Sequence, residues 1–151
     1  MEKYNSPMQL ATMLAYKAKQ KGEVPVGAVI IKNGKVIAKA YNKREHHQIA
    51  THHAEILAIQ KANKKLKSWR LDDCDLFVTL EPCPMCAGAI LNARIKNVYY
   101  ATADEQSGGL TKFNLSSSLN HTINAFQMKE FEQENKNIIQ SFFKEKRKKA
   151  K

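Results

Sequence analysis

Apolar and polar positions along this chain follow two periods. Leu10, Met13, Leu14 and Ala18 recur at helical spacing. Ser6 before Pro7 offers a capping hydroxyl and a residue suited to the first helical position, Gln9 can close a capping box, and Gly22 is a stop. After Glu23-Val24-Pro25, the run Val26-Gly27-Ala28-Val29-Ile30-Ile31 is apolar and of strand length. Asn33-Gly34 then signals a tight hairpin, with Lys35 to Tyr41 as the returning strand. Asn42 to Thr51 is polar and reads as a loop. Ala54, Leu57, Ala58, Ala62 and Leu66 define a second amphipathic helix. Asp75 to Leu80 is a third strand, Pro84 opens a helix reaching about Arg94, and Val98 to Ala101 is a fourth strand. Gly108-Gly109 and Ser116-Ser117-Ser118 mark a loop-rich stretch before a short last strand within Ile123 to Met128. From Lys129 onward, Phe131, Ile138 and Phe142, with Ile139 and Phe143 beside them, form helical stripes.

A hairpin followed by strands alternating with helices implies crossover connections and parallel pairing. The expected fold is an α/β, three-layer α/β/α sandwich around a mixed five-stranded sheet. It forms a single domain over 1–151, closed by a basic helix over about 129–151.

Chemistry concentrates in His53-Ala54-Glu55 and in Pro82-Cys83-Pro84-Met85-Cys86. Cys83 and Cys86 are three apart, so at the start of a helix they share a face. The positive end of the helix favours their thiolates. Two thiolates and an imidazole from His53 form a zinc triad, and three protein ligands leave a place for water, the mark of a catalytic site. Iron or cobalt could fill the same triad, though thiolates with imidazole suit zinc. Glu55 is the proton carrier. Residues two apart on a helix diverge, so His53 must sit at the mouth of its helix. A C-x-x-C alone is equally half of a zinc ribbon or a redox pair. A ribbon needs two more ligands, however, and Cys74 is the one cysteine left. It reads as a buried thiol, and His46, His47 and His52 as exposed loop residues.

Composition adds two facts. The net charge is +11, much of it in Lys144 to Lys151, which favours a polyanionic partner over a neutral one. No apolar run approaches a membrane span, Met1 to Ser6 has no signal-peptide pattern, and the cysteines make no disulfide framework. A reducing cytoplasm is expected.

H-x-E followed by P-C-x-x-C is the signature of zinc nucleobase deaminases. Beyond it, Glu23-Val24-Pro25-Val26-Gly27-Ala28, Asn42, Val78 to Ala89, Asp104, Asn120-His121 and Phe142-Phe143 extend the match almost end to end. The chain resembles the bacterial tRNA-specific adenosine deaminases of the cytidine-deaminase-like superfamily. The resemblance implies hydrolytic deamination of the wobble adenosine of an anticodon stem-loop to inosine, by a homodimer holding one zinc per subunit. His53, Cys83 and Cys86 would be the ligands and Glu55 the proton shuttle. Asn42 would bond the flipped base, although by itself it is equally a turn residue ending a strand. Val26 and Ala54 would wall the base pocket, and Asp104 and Asn120 would lie near the sugar and backbone. Phe143 and Lys144 would lie against the anticodon loop. The flank Ala87-Gly88-Ala89-Ile90-Leu91 is the expected subunit contact.

The chain departs from the family pattern at Ile49-Ala50-Thr51-His52, where Asp-Pro-Thr-Ala is usual, and at Gln106, where a lysine is usual; the stretch from Gly109 to Asn120 is shortened. The runner-up function is a deaminase of a free base or nucleoside, such as guanine or cytosine. A zinc-stabilised RNA-binding module without catalysis is a third possibility, against which Glu55 argues.

Overall fold

A computed structural model describes residues 6–150; Met1 to Asn5 and Lys151 lie outside the described residues. Helix α1 (Pro7–Gln20) starts as its residues dictate, with Ser6 Oγ accepting the amide of Gln9 at 3.1 Å. Strands β1 (Gly27–Lys32) and β2 (Lys35–Tyr41) form the hairpin, and Asn33 and Gly34 take the left-handed conformations its two-residue turn needs. The polar stretch after β2 is not all loop: Arg44–His47 makes one helical turn, α2. Helix α3 (Ala54–Leu66), strand β3 (Cys74–Leu80), helix α4 (Pro84–Ala93) and strand β4 (Asn97–Thr102) follow. Then come a small hairpin, β5 (Ser117–Ser118) with β6 (His121–Thr122), and strand β7 (Asn124–Gln127). A 3-10 turn over Lys129–Phe131 leads into α5 (Glu132–Ala150).

The sheet order is β2-β1-β3-β4-β7. β1 pairs antiparallel with β2 and β3, and the β3–β4 and β4–β7 pairs are parallel, so the sheet is mixed and five-stranded as expected. Alternate residues of each strand serve opposite faces. Ala28, Ile30, Leu76, Val78 and Val98 pack with the apolar faces of α3 and α4. Val29 and Ala101 pack under α1, where Met8 and Ala11 are fully buried. Helix α5 completes that second layer, and its Asn135 amide donates to Thr12 Oγ1 of α1 at 3.0 Å. Among the described residues no helix is long and apolar enough to cross a membrane.

One sequence expectation changes here. Ala87, Ile90 and Leu91 of α4 are spent on the chain's own core, and Gly88 and Ala89 alone of that flank stay half-buried.

Candidate active site

Two helix starts meet at the carboxyl end of β3. His53 is the N-cap of α3 and Cys83 the N-cap of α4, each with extended backbone, and Cys86 lies in the first turn of α4. Capping solves the divergence problem: His53 leaves the helix axis before the spiral begins, so its ring and Glu55 can serve the same space. Nδ1 of His53 lies 3.7 Å from Cys83 Sγ and 3.6 Å from Cys86 Sγ. The three ligand atoms all lie within 4.8 Å of one another. A tetrahedral zinc with ordinary bond lengths sets its nitrogen and sulfur ligands about 3.6 Å apart. The residues present therefore fit such an ion.

Close approach shapes the surroundings. A side chain on Gly109 would meet the carbonyl oxygen of Cys83 at 2.7 Å, so glycine lets the following loop lie against the cysteine turn. The Gly109 amide donates to Pro82 O at 2.8 Å.

Electrostatics at the site are those of a poised metal or proton centre. A hydrogen bond from Cys86, aided by His53, holds the Cys83 thiol down to about 4. The same bond pushes the Cys86 thiol up, and the bond to Cys83 raises His53. Burial pushes the Glu55 carboxyl up to about 7. A carboxyl at that value takes or gives a proton at little cost near neutral pH.

The triad opens into a cleft of about 720 Å³, within the range of small-molecule sites. Val26, Asn42, Ala54, Asp104 and Phe143 all line it with His53, Glu55 and Cys83. Val26 is 8% exposed and Phe143 41%, so the floor is dry and the rim open. Asn42 also acts as a turn residue: its Oδ1 accepts the Arg44 amide at 3.0 Å and its Nδ2 donates to Val24 O at 3.3 Å. One donor and one acceptor position remain on that amide for a ligand.

Two expected residues are not brought to the cleft. Asn120 is exposed at the tip of the β5–β6 hairpin, with φ of 58°, beside Leu119 at 53°. It supplies the left-handed turn there. Lys144 is exposed on α5 and is not part of the lining. Conversely, the cleft includes Arg44, Glu81, Lys136 and Gln140, which sequence reasoning passed over. For Lys136 and Gln140 the signal was present: Glu132, Lys136, Ile139, Gln140 and Phe143 repeat at helical spacing, so the stripe ending in Phe143 carries them too.

Two buried carboxylates support the walls. Glu23, 1% exposed, accepts the amides of Glu45 at 3.0 Å and His46 at 2.7 Å. Glu81, also 1% exposed, accepts from Asp104 N (3.2 Å), Leu110 N (3.1 Å) and Thr111 N (2.8 Å). His46 and His47 are exposed, and Cys74 is fully buried at the start of β3.

Known proteins resemble the chain over most of its length. The sequence profile of MafB19-like deaminases matches residues 2–147. The chain belongs to that family. It is 43% identical over 147 residues to the tRNA-specific adenosine deaminase of Bacillus subtilis, covering 95% of this chain and 91% of the relative. A solved structure from work on A-to-I editing by tRNA:A34 deaminases is 38% identical with a TM-score of 0.82, over 87% of this deaminase and 97% of that chain. A guanine deaminase structure from Bacillus subtilis is 42% identical with a TM-score of 0.63, but covers 68% of this deaminase and 66% of that chain.

Proposed function

We propose that this deaminase converts the wobble adenosine of a tRNA anticodon loop to inosine by hydrolysis, with one zinc ion held by His53, Cys83 and Cys86. One observation carries the chemistry: an open His-Cys-Cys triad with 3.6 and 3.7 Å edges beside a buried carboxylate that is not a ligand. The substrate rests on the relatives, which are tRNA-specific adenosine deaminases matching nearly the whole chain.

When bound, zinc supplies Lewis acidity that makes water a nucleophile near neutral pH. Glu55 accepts a proton from the attacking water and passes it to the purine ring nitrogen, then takes the remaining hydroxyl proton and delivers it to the departing ammonia. Its dry surroundings raise its affinity for the proton it must carry. Val26 and Ala54 wall the base, and Asn42 offers it the free half of its amide. Asp104 and Phe143 take the nucleotide's outer parts, with Asn120 and Lys144 beyond the cleft as contacts to the rest of the loop. An anticodon base is already outside a duplex, so flipping it costs little.

The working unit in this reading is a homodimer of single-domain subunits spanning 1–151. Pro84, Met85, Gly88, Ala89 and Asn92 are the parts of α4 left open to a partner. Free thiols at a metal site suit a reducing cytoplasm.

The test is a deamination assay on an anticodon stem-loop with adenosine at the wobble position, with adenosine, cytidine and guanine in parallel. Inosine in the stem-loop alone is the expected result. Turnover of guanine with an inert stem-loop would move the protein to the free-base branch, which the guanine deaminase neighbour makes the second reading.

A further inference from the structure

The resemblance leads one to expect a lysine at position 106, and this chain has neutral Gln106, which lines the cleft. The same cleft holds Lys136, from α5. Lys136 is exposed. Its ordinary partner at helical spacing is Glu132, four residues before it. Glu132 instead accepts the side-chain amide of Gln127 at 2.7 Å. The ion pairs found among the described residues are Lys19–Glu145 and Arg70–Asp72, so none engages Lys136.

The rest of the rim is acidic. Asp104, Glu105 and Glu132 line it, against two cations, Arg44 and Lys136. Such a rim repels a phosphodiester unless those cations meet it. Arg44 belongs to the α2 wall, its amide donating to Asn42 Oδ1. Lys136 belongs to the α5 wall. Seven residues further on, about 10 Å along the helix, comes Phe143, 41% exposed. A cation and an open aromatic on one stripe are what single-stranded nucleic acid binds: backbone charge and a stacking face.

We propose that Lys136 is the cation that holds a backbone phosphate beside the target nucleotide, and that it does so in place of a cation at position 106. This rests on the RNA-editing reading above. A lysine acts as a point charge, so its place in the sequence can move as long as its ammonium reaches the same phosphate.

The experiment measures binding and turnover separately. A fluorescent anticodon stem-loop is titrated with wild type, Lys136→Ala and Lys136→Ala/Gln106→Lys over a range of salt, and KM and kcat are measured on the same RNA. Lys136→Ala is expected to weaken binding and raise KM about five- to tenfold with kcat within about twofold. It should flatten the log-affinity against log-salt slope by about 0.7, the value for one phosphate of a single strand. Adding Gln106→Lys should recover most of both. Unchanged affinity and slope in Lys136→Ala would overturn the proposal. A loss that Gln106→Lys leaves unrepaired would overturn the exchange of positions. If the stem-loop binds with the Lys136-dependent slope yet is not deaminated, the RNA-editing reaction fails while the phosphate contact stands. Wild type that binds no stem-loop overturns both.

Discussion

Loss of water lifts the Glu55 carboxyl from its ordinary 4.5 to about 7, and that single number ties catalysis to stability. Below about 4.5 the folded and unfolded chains both carry this proton, and burial costs nothing through it. Between the two values the unfolded chain ionises first; above 7 the buried charge weighs fully against the fold. Metal-free protein should therefore lose stability through Glu55 as pH rises across that window. Glu55→Gln removes the titration, so the metal-free variant should melt higher than wild type at pH 8, with the gap closing towards pH 4. Thermal melts of both proteins across pH check this, and equal melting temperatures at pH 8 would show that Glu55 is not penalised by burial. In the metal-loaded enzyme the same variant should keep its metal and lose about 10²- to 10⁴-fold in kcat, the usual worth of a general acid–base group. Metal analysis with steady-state kinetics reads both effects.

At the scale of elements, hydrogen-bonded straps join the cleft's walls above a packed floor. Glu23 takes the amides of α2's first turn, and Asn42 N donates to Val26 O at 3.1 Å. The wall carrying Asn42 and Arg44 is thereby tied to the strand start at Val26. Glu81 does the same for the 104–111 loop. Glu23→Gln swaps one acceptor for a donor facing a backbone N–H, at a cost of about 1–3 kcal/mol for the unsatisfied group. The expected result is a lower melting temperature, faster hydrogen exchange at Glu45 and His46, and a higher KM for the stem-loop, with kcat affected less. Exchange rates unchanged at those amides would remove Glu23 from this role.

At the scale of the molecule, the triad joins α3 to α4. A metal that binds the folded chain alone stabilises it by about 4 kcal/mol at a thousandfold excess over its dissociation constant. Chelator treatment should abolish turnover and lower the melting temperature, and added zinc should restore both. Cys83→Ala should mimic the stripped protein and fail to recover. A melting temperature indifferent to the chelator would mean that the joint adds nothing to the fold.

Much of this was legible in the residues. Helical and strand periods, Asn33-Gly34 and the Ser6-Pro7 cap report local preferences, and local preferences survive folding. The metal triad was legible because its chemistry demands particular side chains at short spacings around two helix starts. Other features depend on contacts distant in sequence. The sheet order, and the antiparallel pairing of β1 with β3, come from packing the helices on both faces. The resemblance put Asn120 near the substrate's sugar and backbone; the fold seats it in a two-residue turn outside the cleft lining, since asparagine tolerates left-handed backbone. Ile90 and Leu91 looked available to a partner until the core closed over them. Arg44 carries no local sign of function and Lys136 only its place on the stripe of Phe143; both line the cleft because α2 and α5, far apart in sequence, are folded against it. The sequence by itself determined the main helices and strands and the two short motifs, His53-Ala54-Glu55 and Cys83 to Cys86, because each depends on neighbours within a few residues. Only the tertiary structure decided which charges face the substrate, because that depends on which distant surfaces come together.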